Sequence, residues 1–351
     1  MTIEESVIYL ASCAVNGVAP NKDLIKEIDI EKVLALAKKH MIGCCVAVAL
    51  ESAGYNTIST SKAITKAIRR NALYEASLQE VTDRLQEEGI AYVPLKGIVL
   101  KKYYPVPFMR EMSDHDILID ASRAEDVQAV MEGLGFTAKR IGIWAHDIYY
   151  KPPILNYEMH RSLFSAKDPR LNAYFQGMKD LSKPEDQYLY LIAHEYKHYS
   201  TSGTGLRSLL DIYLFLKKER LDWEYVEEEA GKIGIHEFEK DNRRLATSLF
   251  RDGTITDETM FAYILASNVY GTLEHKVDNT LMNSGKTRSH YTLQRLSIPF
   301  RREDYRYKAF AAKYPFFYRN KLLLPLLPFY RVLRSIRAGR FAREWKAMWK
   351  K

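Results

Sequence analysis

Val93-Pro94-Leu95-Lys96-Gly97 is a short apolar run ending in Lys-Gly, and Arg110-Glu111-Met112-Ser113-Asp114-His115-Asp116-Ile117-Leu118-Ile119-Asp120 carries a second run that opens on Asp-x-Asp. Both read as short strands, the first from Ile90 to Leu95 and the second from Asp116 to Asp120. Side chains alternate faces along a strand, so Asp114 and Asp116 point the same way, roughly 6.5–7 Å apart. Two carboxylates on one face suit one or two Mg2+ ions, which in turn bridge phosphate oxygens. An acid on a neighbouring strand would complete the cage, and Tyr157-Glu158-Met159-His160 puts Glu158 and His160 together on one face. Taken alone, Asp-x-Asp is a weak signal, more often the mark of a solvated strand end than of a metal site.

Lys96-Gly97 narrows the choice. Glycine lets the backbone approach a ligand closely, the lysine supplies a point charge for phosphate, and a helical turn from Gly97 to Tyr104 would offer free N–H groups. Arg110 adds a second cation and Ser113 a hydroxyl beside the acids.

Around this centre the apolar spacing changes twice. Residues 1–84 read as a helical N-terminal subdomain, with Val33, Leu34, Leu36 and Ala37, then Leu73, Ala76, Leu78 and Val81, at helical spacing. Asn71 is the expected cap of the second of these segments, and Gly89 its end. Residues 85–165 read as an α/β core, where Ser122 should cap a helix bearing Val127, Val130, Met131 and Leu134. Strands are expected over 138–143, 147–151 and 154–160. Helices between neighbouring strands make this a small mixed sheet backed by helices, in an α+β chain. Residues 166–300 return to helices: one from Pro184 through Tyr199, one from Leu206 to Leu216, and two or three more over 222–298.

Lys96-Gly97, Tyr104-Pro105, Arg110, Ser113-Asp114-His115-Asp116 and Tyr157-Glu158-Met159-His160 together resemble the uncharacterised nucleotidyltransferase family of the polymerase-beta superfamily. The resemblance extends into Ala193-His194, Leu206-Arg207 and Leu210-Asp211, and covers residues 20 to 330. It implies a Mg2+-dependent enzyme that moves a nucleoside monophosphate from an NTP, with ATP first in line, to an acceptor hydroxyl. Lys96-Gly97 then matches the phosphate turn, Asp114 and Asp116 the paired metal ligands, and Glu158 the third acid. Lys96 departs from the small residue usual beside the glycine in the superfamily. Arg110, Gly97 and Ser113 would contact the triphosphate. His160 would support the acids, and His194, Arg207 and Asp211 would lie toward the acceptor. Read without the resemblance, Arg207 and Asp211 are four apart, a helix-surface pair worth only a few tenths of a kcal/mol.

His194-Glu195-Tyr196-Lys197-His198 offers a competing expectation, a zinc peptidase motif with two histidines on one helical face. No third ligand follows at a zinc-enzyme spacing; His236-Glu237 is the nearest candidate. A helix packed on the sheet, with His194 near the cleft, is the more economical reading.

The charge of +8 is lodged at one end. Residues 301–351 hold fifteen Lys and Arg against three Asp and Glu, so the first 300 carry about −4. In this tail Tyr, Phe and Trp interleave with Arg, as in Tyr314 to Arg319 and Phe341 to Lys346, a pattern suited to RNA or to an anionic membrane, or simply to packing on the body of the protein. A non-catalytic nucleotide-, RNA- or membrane-binding protein is thus a third class. Cys13, Cys44 and Cys45 form no disulfide framework, and Met1 to Glu5 has no signal-peptide pattern, so a cytoplasmic setting is expected. Leu322 to Tyr330, the longest apolar run, is too short and proline-broken to span a bilayer.

Overall fold

A computed structural model describes residues 1–166, 168–176, 181–284, 293, 296–302 and 306–337. Contacts divide the chain into two compact units, one of residues 1–196 with 204–269, the other of 197–203 with 270–351.

The first unit begins with α1 (Ile3–Asn16), set by a Thr2–Glu5 capping box, followed by α2 (Lys22–Lys26), α3 (Ile30–Lys39) and α4 (Gly43–Ser52). α5 (Ile58–Glu87) is a single 30-residue helix capped by Thr57. Asn71 therefore lies in mid-helix and is not a cap: Ala67, Tyr74, Val81 and Leu85 continue one buried stripe through it. The end falls where expected, with Gly89 at φ +63° and the Ile90 N–H donating back to the Leu85 carbonyl.

The sheet is built from β1 (Tyr92–Pro94), β2 (His115–Ile119), β3 (Thr137–Arg140), β4 (His146–Lys151) and β5 (Leu155–His160), in the order β1-β2-β5-β4-β3. Only β2 and β5 pair in parallel. Between β1 and β2 lies the one-turn α6 (Gly97–Leu100), and between β2 and β3 lies α7 (Ala124–Gly133). Ser122 does not cap α7. The Asp120 carboxylate accepts from the Ser122 N–H and hydroxyl and so caps a 3-10 turn (Ala121–Arg123) that leads into α7, whose own first turn carries no side-chain cap.

One face of the sheet is core. Ile117, Ile119, Tyr149, Tyr157 and Met159 pack with Val81 and Leu85 of α5 and Val127, Val130 and Met131 of α7. Each such side chain contributes about 1.5–3 kcal/mol on full burial, and a one-residue slip would expose the whole set. Register is fixed accordingly, and with it the residues turned to the opposite face. His115 belongs to the core side, stacked on Tyr157 with ring centroids 4.6 Å apart, and burial pushes its pKa down to about 3.

Helices α8 (Pro169–Gln176), α9 (Pro184–Tyr199), α10 (Leu206–Lys218), α11 (Trp223–Ile233), α12 (His236–Asp252), α13 (Glu258–Ser267) and α14 (Leu273–Ser284) follow. Four described helices thus occupy 222–298, where two or three were expected. Asp222, Asp257 and the glycines 234 and 253 supply the extra boundaries. The second unit continues with α15 (Arg306–Lys313), α16 (Pro315–Arg319) and α17 (Leu327–Arg337). Phe341 to Lys346, one of the two aromatic and basic stretches of the tail, lies outside the described residues. No helix among the described residues is long and apolar enough to cross a membrane.

Candidate active site

In the β2–β5 pair Asp116 is the partner of Glu158, and Leu118 of His160. With Ile117 and Met159 committed to the core, alternation turns Asp116, Glu158 and His160 to the other face. β4 adds His146, the partner of His160.

Lys96 Nζ donates to Asp116 Oδ1 at 2.6 Å, and His160 Nε2 lies 2.8 Å from the same oxygen. Burial opposes both charges, but the Lys96 ammonium, and after it His160, hold the Asp116 carboxyl well below its usual range. Asp116 in turn outweighs the desolvation of Lys96, whose pKa is raised. Asp114, just before β2, has a carboxyl pushed up by burial first and by the Asp116 charge next. Lys96, Arg207 and a hydrogen bond with Ser113 pull it the other way. Repulsion between like charges of this kind is relieved by a dication.

The Lys-Gly turn has an unusual backbone. Lys96 sits at φ 48°, ψ −116°, and the Ile98 N–H donates to the Leu95 carbonyl at 3.2 Å. These are the torsions of the first central residue of a type II′ turn, a glycine position. A side chain there costs on the order of 1–3 kcal/mol. Here that side chain is the one paired with Asp116.

Arg110 is tied down from behind. Its Nε and Nη2 donate to the two Asp211 oxygens at 2.9 and 2.7 Å, and the Tyr104 hydroxyl donates to Asp211 Oδ1 at 2.8 Å. A Cβ placed on Gly97 would lie 2.5 Å from Arg110 Nη1, so the third nitrogen faces the turn. The expected surface pair of Arg207 with Asp211 is not formed: Asp211 is buried in the Arg110 bridge. Arg207 Nη1 instead donates to the Glu111 carbonyl at 3.0 Å. α10 thereby anchors the loop entering β2 at two points.

The H-E-x-x-H segment divides its side chains. Glu195 is buried and accepts from Ser208 Oγ at 2.7 Å, and burial pushes its pKa up to about 7. His194 leans on Tyr190 with ring centroids 6.1 Å apart. Among the described residues, the group of three placed to hold a metal is His146, Glu158 and His160, and the H-E-x-x-H histidines belong to none.

Two residues escaped the sequence reading. His146 begins β4 one residue earlier than the alternation suggested, and only strand pairing brings it to Glu158. Tyr190 carries no local mark that sets it apart from the other apolar and aromatic residues of α9. It is 4% exposed, its hydroxyl has no hydrogen-bond partner among the described residues, and its charged neighbours are Lys96, Asp116 and Glu158. Four-residue spacing from His194 was the available signal.

Beside the turn, a cavity of about 420 Å³ is lined by Glu31 and Lys38 of α3, Lys62, Lys66 and Arg70 of α5, and Arg110, Glu111 and Met112 from the loop before β2, so that its basic residues outnumber its acidic ones.

A mixed sheet that sets acids of adjacent parallel strands in register beside a Lys-Gly turn is the arrangement expected of a nucleotidyltransferase. The profile of the uncharacterised nucleotidyltransferase family matches residues 26–251, which include every residue of this site, and the chain belongs to that family. No curated protein and no solved structure matches it.

Proposed function

We propose that the protein transfers a nucleoside monophosphate from an NTP, ATP being the first candidate, to an acceptor hydroxyl with release of pyrophosphate. The observation that carries this reading is the pairing of Asp116 with Glu158 across parallel strands, with Asp114 two residues before and Lys96 bound to Asp116. The acceptor oxygen would bond to the α-phosphorus as the bond to the bridging oxygen breaks, and Glu158 would take the hydroxyl proton. The oxygen-only set of Asp114, Asp116 and Glu158 fits Mg2+. That ion would supply neutralisation of the charge that builds on the phosphates.

Lys96 would hold the triphosphate next to Asp116, and Arg110 Nη1, Gly97 and Ser113 would contact it. His160 keeps Asp116 oriented. Tyr190 would donate its unused hydrogen bond to a phosphate oxygen. The cations of the 420 Å³ cavity favour an anionic acceptor there. His194, Arg207 and Asp211 would act on the acceptor side, the last two by fixing the loop that carries Arg110. In this reading residues 85–165 are the catalytic core, flanked by helical regions 1–84 and 166–300. The tail 301–351 serves attachment to RNA or an anionic surface in the cytoplasm: Leu322, Phe329 and Leu333 are exposed near Arg331, Arg334 and Arg337 in sequence.

The test is pyrophosphate release with each NTP, Mg2+ and fractionated cell extract. Release should depend on one extract fraction and vanish in Asp114→Ala/Asp116→Ala; release by a folded double variant would refute the assignment.

A further inference from the structure

We propose that His146, Glu158 and His160 form a nitrogen–oxygen centre for a transition-metal dication of the Mn2+ to Zn2+ class, distinct in its ligands from the all-oxygen set of Asp114, Asp116 and Glu158. It rests on the nucleotidyl-transfer reading only in sharing Glu158 with the acid cage.

Three observations converge on it. The first is distance: the three ligand atoms lie within 4.8 Å of one another, with Glu158 Oε2 at 3.5 Å from His146 Nε2 and 3.7 Å from His160 Nε2. Bonds of about 2.0–2.1 Å to a tetrahedral ion separate ligand atoms by about 3.3 Å, so Glu158 needs to close on each imidazole by only a few tenths of an ångström, and the two imidazoles, within 4.8 Å of each other, by at most about 1.5 Å. The second is the scaffold. His146 and His160 are register partners on β4 and β5, and Glu158 is two residues from His160 on the same face. The ligands thus come from two hydrogen-bonded strands whose opposite face is core, where small shifts are costly. The third is the donor set. Two imidazoles and one carboxylate suit borderline metals, whereas Mg2+ prefers oxygen and retains its waters.

The centre is also open. His146 and Glu158 keep 26% and 21% of their side chains exposed, while His160 keeps 6%. Three protein ligands with an accessible fourth position is the form of a catalytic rather than a structural metal site. His160 Nε2 is also the atom 2.8 Å from Asp116 Oδ1, so metal binding would exchange that hydrogen bond for a bond to the ion, and the ion would be coupled to the acid pair through the released Asp116 oxygen and the shared Glu158 carboxylate. A cell's supply of such a metal would then set the activity of the acid cage beside it.

The full chain, stripped with chelator, is titrated with Co2+ and separately with Zn2+ in the presence of excess Mg2+. About one equivalent should bind, with visible Co2+ absorption of a low-coordinate site. His146→Ala and Glu158→Gln should each weaken binding at least tenfold and abolish the absorption, with circular dichroism unchanged; His146→Gln serves if the alanine variant is unstable. Asp114→Asn and His198→Ala should retain the absorption. Absence of binding over Mg2+, or absorption that survives His146→Ala or moves with His198, would overturn the proposal. Turnover that persists in Asp114→Asn would instead overturn the nucleotidyl-transfer reading, leaving the metal result standing.

Discussion

Replacing Gly97 with alanine tests how the turn, the arginine and α10 are locked together. The new methyl would sit 2.5 Å from Arg110 Nη1, and 3.0 and 3.2 Å from Met112 Cε and Cγ. Met112 is flexible and can turn aside. Arg110 cannot do so cheaply, because Asp211 holds its Nε and Nη2 at 2.9 and 2.7 Å with both side chains almost wholly buried. Overpacking alone costs about 1–3 kcal/mol. Breaking a buried ion pair costs about 3–5 kcal/mol, so a partial displacement places Gly97→Ala at about 2–4 kcal/mol. Chemical denaturation followed by circular dichroism gives this number, and a double-mutant cycle gives its origin. In an Arg110→Met background the nitrogen is gone, and the alanine should cost at least about 1 kcal/mol less than in the parent. Additive effects of the two changes would refute the lock.

Asp211→Ala leaves Arg110 buried with its charge unpaired and should destabilise the fold by about 3–5 kcal/mol, measured the same way. Tyr190→Phe removes a hydroxyl with no partner among the described residues, so stability should hold while kcat/KM falls about tenfold, one charge-assisted hydrogen bond. Glu195, with a pKa raised to about 7, keeps its proton in the folded protein at a pH where the unfolded chain has lost it. Stability should therefore fall by on the order of 3 kcal/mol as pH rises from about 4.3 to about 7, then level off, and Glu195→Gln should flatten that slope. A Glu195→Gln profile as steep as the parent's would contradict the assignment.

The sheet was legible because its core face is written in period two: Ile117, Ile119, Tyr157 and Met159 alternate with the acids, and a buried face leaves one register. That alternation also brought Glu158 to Asp116 before any pairing was known. Long-range partners were not legible. Four-residue spacing joined Arg207 to Asp211, yet the buried carboxylate went to Arg110, a hundred positions away, where three donors satisfy it instead of one. His146 could be found only once β4 lay beside β5, since nothing local distinguishes a histidine at a strand's start. Asn71 and Ser122 misled for a simpler reason: residues that favour caps also occur inside helices and turns, and here a continuing apolar stripe runs through the first while the second lies within a 3-10 turn capped by Asp120.

The central claim is that Asp114, Asp116 and Glu158 direct attack at the α-phosphorus. Incubation with Mg2+, cell extract and either α- or γ-labelled NTP decides it most directly. The α-label should become covalently attached to one class of acceptor, the γ-label should leave as pyrophosphate, and both events should cease in Asp114→Asn and Glu158→Gln. Transfer of the γ-label, or α-label transfer undiminished in those variants, would contradict it.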